Sequence, residues 1–112
     1  MADAVELYDE ADKLKDLGKL DEAVAKLQEA LGVDPKYALA HSALAIVEQK
    51  RGNHELAVEH AQKVCELEPN DPFSYTALSV TYQKAFAGTR NQQYIRLAEE
   101  AMYKANAMQS RR

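Results

Sequence analysis

Residues 18–35 read GKLDEAVAKLQEALGVDP, and residues 52–69 read GNHELAVEHAQKVCELEP. Gly18 and Gly52, Ala23 and Ala57, Val24 and Val58, Gln28 and Gln62, and Pro35 and Pro69 are each 34 residues apart. A fixed period of this size is the mark of a stacked structural repeat. Each copy opens on a glycine turn, continues as an amphipathic helix and closes at a proline. Gly32 and Pro35 are expected to end the first such helix.

Working outward, the residues before Gly18 predict a second kind of helix. Asp3 is placed to cap it with Glu6 three positions on, and Val5, Leu7, Tyr8, Ala11, Leu14 and Leu17 recur at helical spacing. Gly18 suits the left-handed position that stops a helix. Asp21 and Glu22 then fall where the positive end of the next helix favours acids. Helices joined by so short a turn lie antiparallel, as an αα-hairpin. The second unit repeats this, with helices predicted over Lys36 to Arg51 and His54 to Leu67. In the third, Asn70 or Asp71 can cap, Pro72 suits a first helical position, and Phe73, Tyr75, Ala77, Leu78, Val80 and Tyr82 mark the helix. Its turn is due near Phe86, yet the pattern runs on to Ala87, and Gly88-Thr89-Arg90-Asn91 reads as the breaker. Ala98 stands 41 residues after Ala57, seven beyond the period. Seven residues is about two helical turns, so both helices of this hairpin should be longer.

Bulk properties agree with an all-α chain. The 112 residues are 46% hydrophobic and 29% charged, with a mean hydropathy of −0.50. Much of the hydrophobic content is Ala, with no Trp, which favours close-packed helices over β-branched strands. A net charge of −4 gives no basic face for nucleic acid, and Arg111-Arg112 is too short for a basic tail. No apolar run approaches the ~20 residues of a bilayer span, and the acidic N-terminus has no signal-peptide core. Cys65 is the sole cysteine, lies on an apolar helix side and reads as a small buried hydrophobe. A cytoplasmic setting is expected, with no membrane partner.

These residues resemble the tetratricopeptide repeat family, over essentially the whole chain as three units: about 3–36, 37–70, and 71–110 with a seven-residue insertion near 86–95. The family's large position falls on Leu7, His41 and Tyr75; its small one on Ala11, Ala45 and Ser79; its aromatic one on Leu14, Glu48 and Tyr82. On the second helices the small position is Ala23, Ala57 and Ala98, and the closing proline is Pro35, Pro69 and, degenerated, Ser110. Glu48 departs from the aromatic and is expected to be a snorkelling or paired carboxylate. The resemblance implies an α-α superhelix, a solenoid of three helix-turn-helix units with six antiparallel helices and an elongated third hairpin. Val24, Leu31, Val58 and Cys65 should pack on the following unit, whereas their counterparts Glu99 and Asn106 are polar, as expected of the end of an array. Ala107 and Met108 leave weak self-association through that end open.

No catalytic constellation is visible. His41, His54 and His60 form no i, i+4 pair on one helix, no phosphate-binding glycine motif occurs, and no serine sits in a nucleophile elbow. Gly18 and Gly52, and Gly88 as a third, read as turn glycines. No enzyme activity, metal or cofactor is expected. What remains is surface. By resemblance, the first helices line a concave groove through Val5, Tyr8, Asp12, Lys15 and Asp16; Leu39, Ser42, Ile46, Gln49 and Lys50; and Phe73, Thr76, Val80, Gln83 and Lys84. Apolar anchors with a polar edge suit a protein or peptide partner, so the expected function is an adaptor or scaffold. A secretion or assembly chaperone and a homo-oligomeric structural module are the alternatives. Family members that grip chaperone tails carry a cationic clamp where this chain has Tyr8, Asp12, Ile46, Phe73 and Thr76, so EEVD-type chaperone tails are expected not to bind.

Overall fold

Asp3 stands in extended backbone and its carboxylate accepts the Glu6 backbone N–H at 2.9 Å, which starts helix α1 over Ala4–Asp16. The computed structural model describes residues 2–111, and five further helices follow: α2 (Leu20–Val33), α3 (Ala38–Lys50), α4 (His54–Leu67), α5 (Pro72–Thr89) and α6 (Gln93–Ser110). Gly18 takes φ +77°, with its N–H on the Lys15 carbonyl and the Lys19 N–H on the Leu14 carbonyl, both at 2.9 Å. Gly52 does the same at φ +84°, its N–H on the Gln49 carbonyl and the Asn53 N–H on that of Glu48. This double closure satisfies the last carbonyls of a helix and needs a residue at ease with positive φ.

The third unit has Phe86 where a glycine would stop the helix, so α5 continues to Thr89 and Arg90 takes the left-handed position at φ +63°. Both α5 and α6 are 18 residues long, against 13 or 14 for the other four helices. The elongated third hairpin is therefore present, but Gly88 is not its turn. It lies inside α5, and a Cβ there would overlap the His54 imidazole. Its small size lets α5 pass close to α4. Two other predicted bounds shift for local reasons. Gly32 is helical and α2 ends at extended Asp34, the residue before Pro35, where the proline ring disfavours helix. Asp34 also holds the Lys36 and Tyr37 N–H groups in a turn, each at 3.1 Å, so α3 begins at Ala38 rather than Lys36.

Pairs α1–α2, α3–α4 and α5–α6 pack as hairpins, and successive hairpins meet through α2–α3 and α4–α5. The first helices also touch, α1 with α3 and α3 with α5. The radius of gyration is 14.3 Å, against about 13 Å for a compact chain of this length, as a stack one hairpin deep requires. Two apolar cores result, divided by α3. Leu7, Ala11, Val24, Leu27, Ala30, Leu44 and Val47 belong to the first, and Ala45, Val58, Ala61, Cys65, Leu78, Tyr82 and Ala101 to the second. The small positions Ala11, Ala45, Ala23, Ala57 and Ala98 are all buried, which lets the helix axes approach. Ser79, the third small position on a first helix, is buried too, and its hydroxyl donates to the Ala98 carbonyl at 2.8 Å. No described helix is long and apolar enough to cross a membrane.

Candidate functional site

Between α3 and α5 runs a cleft whose floor is α4. A cavity of about 350 Å³ is lined there by Ser42, Ala45, Ile46, Gln49 and Lys50 of α3, Ala61 and Val64 of α4, and Ser74, Ala77, Val80, Thr81 and Lys84 of α5. A second hollow of about 240 Å³ adjoins it through Ser42, Val64, Ser74 and Ala77, and is closed by Leu39, Phe73, Glu68 and Asp71. The two form one continuous groove. Its rims carry large apolar side chains in water: Leu39 is 52% exposed, Ile46 51%, Phe73 66% and Val80 42%. Single exposed apolar residues are ordinary, but these four lie along one cleft and together make an apolar patch.

The repeat explains why the groove opens here. At the 34-residue offset Ala61 corresponds to Leu27 and Ser42 to Tyr8. Leu27 is fully buried in the first core, and Tyr8 packs edge-on to Tyr37 beside it, their ring centres 5.9 Å apart. At the second interface the same places hold a methyl and a hydroxymethyl group, and space is left between the helices.

Of the residues expected to face a common groove, Leu39, Ser42, Ile46, Gln49, Lys50, Phe73, Val80 and Lys84 line this cleft. The rest are distributed elsewhere. Val5 is exposed on α1, Tyr8 is half-buried in the first core, and Asp12 is exposed with an ion pair to Lys15 at 3.0 Å. That contact raises the Lys15 pKa. Thr76 is half-buried and donates to the Pro72 carbonyl at 3.3 Å. Gln83 lies across α5, in a hollow of about 320 Å³ with Phe86, Ile95, Glu99 and Met102 against α6. Helical spacing places residues on one helix, but the rotation of each helix against its neighbours decides which cleft they enter. The floor residues Ala45, Ala61 and Val64 were not anticipated, although Ala61 in place of Leu27 was visible in the aligned copies.

Among the described residues no buried side-chain nitrogen or oxygen lacks a hydrogen-bond partner. Gln49 donates to Nδ1 of His54 at 2.8 Å. Buried Glu48 accepts from Arg51 at 2.9 Å and Asn53 at 3.0 Å, and Arg51 also reaches Asp21 at 3.1 Å, tying the second unit to the first. Glu48 is thus the paired carboxylate expected. The histidines hold a relationship that sequence spacing missed. His41 of α3 and His60 of α4 meet across the second hairpin with their Nδ1 atoms 3.1 Å apart, being nearly equidistant from the Arg51–Gly52 turn. Burial and the neighbouring His41 lower the His60 pKa. Burial raises the Cys65 thiol to about 11, and its Sγ lies 3.4 Å from the Ser74 carbonyl. No group of three or more His, Cys, Asp or Glu among the described residues is placed to hold a metal ion.

Stacked antiparallel hairpins sharing alternate cores define a helical-repeat protein. The profile of the tetratricopeptide repeat family matches residues 2–72, more than half of the chain, and the protein belongs to that family. The elongated third hairpin lies beyond the matched residues. No protein of curated function matches the chain in sequence. Among solved structures, a crystal structure of MamA superposes with a TM-score of 0.82 at 20% identity, covering 97% of this chain and 60% of that one. A second MamA structure gives 0.71 at 22% identity, covering 94% and 57%. The chain thus spans somewhat under two thirds of MamA. The first tetratricopeptide domain of Spaghetti (RPAP3), bound to the HSP90 peptide SRMEEVD, gives 0.63 at 15% identity, covering 96% and 93%. At these identities the likeness is one of fold.

The RPAP3 complex corrects one expectation. EEVD-type tails were excluded because Asp12 would repel a carboxylate, yet this fold carries such a peptide in RPAP3. In the present chain, moreover, Asp12 pairs with Lys15 at 3.0 Å. The exclusion does not hold.

Proposed function

We propose that this chain is a protein-interaction module, an adaptor that holds a segment of a partner protein in the α3–α5 groove. The observation that carries this reading is the continuous cleft with small side chains on its floor and Leu39, Ile46, Phe73 and Val80 on its rims. Apolar anchors within a polar rim are how interfaces concentrate binding energy. Val5 and Tyr8 on α1, and Thr76 and Gln83 on the far side of α5, are proposed as outer contacts. RPAP3, with the same fold, is bound to a short HSP90 peptide, and a peptide of similar length suits this cleft. A cytoplasmic location is proposed as well, since the free Cys65 thiol fits a reducing compartment.

The test is selection of binding peptides from a random displayed library, repeated on the double variant Ile46→Asp with Phe73→Asp. Both side chains are more than half exposed, so helicity by circular dichroism should be unchanged. Peptides selected on the wild type should lose binding to the variant. Retention of binding would place the site elsewhere.

A further inference from the structure

The groove has ends of opposite charge. Lys50, in the last turn of α3, and Lys84, on α5, stand at one end of the 350 Å³ cavity. Among the described residues neither ammonium has a carboxylate within 4.0 Å, although the chain as a whole is acidic at −4. At the other end stand Glu68 and Asp71, beside Leu39 and Phe73. Asp71 is already engaged in capping α5, its Oδ1 accepting the Phe73 N–H at 3.0 Å. Glu68 is exposed with no cation in range among the described residues. Between these ends the floor is Ala61 and Val64.

We infer that the occupant is a peptide segment with one aliphatic side chain seated over Ala61 and carboxylates on its neighbouring residues, held between Lys50 and Lys84. This rests on the peptide-binding reading above and specifies its ligand. The distance along α3 from Leu39 to Lys50 is roughly 16 Å at the helical rise, the reach of about five extended residues. A segment that long meets both ends at once. Its acidic residues lie at the lysine end, and the end beside Glu68 and Asp71 carries none, because a carboxylate there faces like charge. The depth of the pocket admits a Leu, Ile, Val or Met side chain in the volume that Leu27 fills one repeat earlier.

The experiment selects peptides from the random library on the wild-type chain and measures the best of them by fluorescence anisotropy at low and at physiological salt. Enriched sequences should pair an aliphatic residue with two or more Asp or Glu within a few positions, and binding should weaken as salt screens the lysines. Lys50→Glu with Lys84→Glu should cost about tenfold or more in affinity and turn selection towards basic peptides. Lys50→Ala with Lys84→Ala, which introduces no like charge among the acidic helices, should weaken binding in the same direction. Ala61→Leu, which installs the side chain the first repeat already accommodates, should abolish it. Enriched peptides indifferent to the lysine changes and to salt would overturn the acidic ligand while leaving a peptide groove. Enrichment of basic peptides on the wild type would do the same. No enrichment at all, with saturable binding of dodecanoate instead, would overturn both readings and assign the cavity to a lipid carboxylate.

Discussion

His41 and His60 face each other through their Nδ1 atoms at 3.1 Å, and only one of the two nitrogens can carry a hydrogen. Nε2 of His41 lies 3.2 Å from the Pro35 carbonyl, which can only accept, so that nitrogen holds the proton of His41. Nδ1 of His41 is then bare and accepts from Nδ1–H of His60. Burial and His41 lower the His60 pKa below its ordinary 6.5, against an opposing pull from Glu48 and Glu59. The unfolded chain therefore binds more protons between the lowered value and about 6.5. Stability should be full above that range and fall as pH drops through it, by at most about 1.4 kcal/mol per pH unit. Thermal melts between pH 7.5 and 5.5 should show this slope. His60→Gln, whose amide can still donate to His41, should flatten it, and an unchanged slope would remove His60 as the cause.

Arg51 holds Glu48 at the aromatic position of the second unit, where the first unit has Leu14. Arg51→Met leaves the carboxylate with Asn53 alone and should cost about 2 kcal/mol in urea denaturation. Glu48→Leu in that background restores the apolar side chain of the first unit and should recover most of the loss, because an apolar replacement leaves no charge unpaired. If the double variant is no more stable than the single one, the buried charge is not the reason for the loss.

Gly88 and His54 form a coupled pair. Alanine at a helical glycine normally adds about 1 kcal/mol. Here the new methyl must displace His54, which costs the Gln49 hydrogen bond, about 1 kcal/mol in turn. Gly88→Ala should give no net gain in the wild type but about 1 kcal/mol in a His54→Ala background. Equal gains in both would show that the imidazole is not in the way. Gln49 also lines the groove, so the displaced histidine should weaken peptide binding as well.

The two kinds of helix stop differ in residue type. Gly52→Ala forces a Cβ into positive φ and should destabilise by about 1 kcal/mol. Arg90 already bears that strain, offset in part by stacking of its guanidinium on Phe86, 5.6 Å from the ring centre. Arg90→Gly should raise the unfolding free energy measured in urea by about 0.5 kcal/mol. A fall instead would mean that the contact with Phe86 outweighs the backbone strain.

The architecture was legible because its signals are local and repeated. Gly18 and Gly52 announce positive φ by residue type, Asp3 caps the helix it precedes, and the longer third hairpin follows from Phe86 standing where a stop glycine was due. Gly88 misled for a related reason: a glycine is permitted both in a turn and under a neighbouring side chain, and only the packing of His54 distinguishes the two. His41 and His60 sit on two helices, so spacing along either one cannot reveal the pair that the hairpin brings together.

The groove divides in the same way. That Leu39, Ile46, Phe73 and Val80 share the outer face of the first helices is what the resemblance to the repeat family implied. Which of those residues share a cleft depends on how α3, α4 and α5 are rotated against one another, and that separated Gln83 and Tyr8 from the rest. By itself the sequence determined three hairpins, the turns of the first two and the extra length of the last, since backbone preference and hydrophobic period act within a few residues. Only the tertiary structure decided the cavity and its charged ends. A cavity arises where side chains from three helices fail to fill a space, and Ala61 becomes a pocket only once its neighbours are set around it.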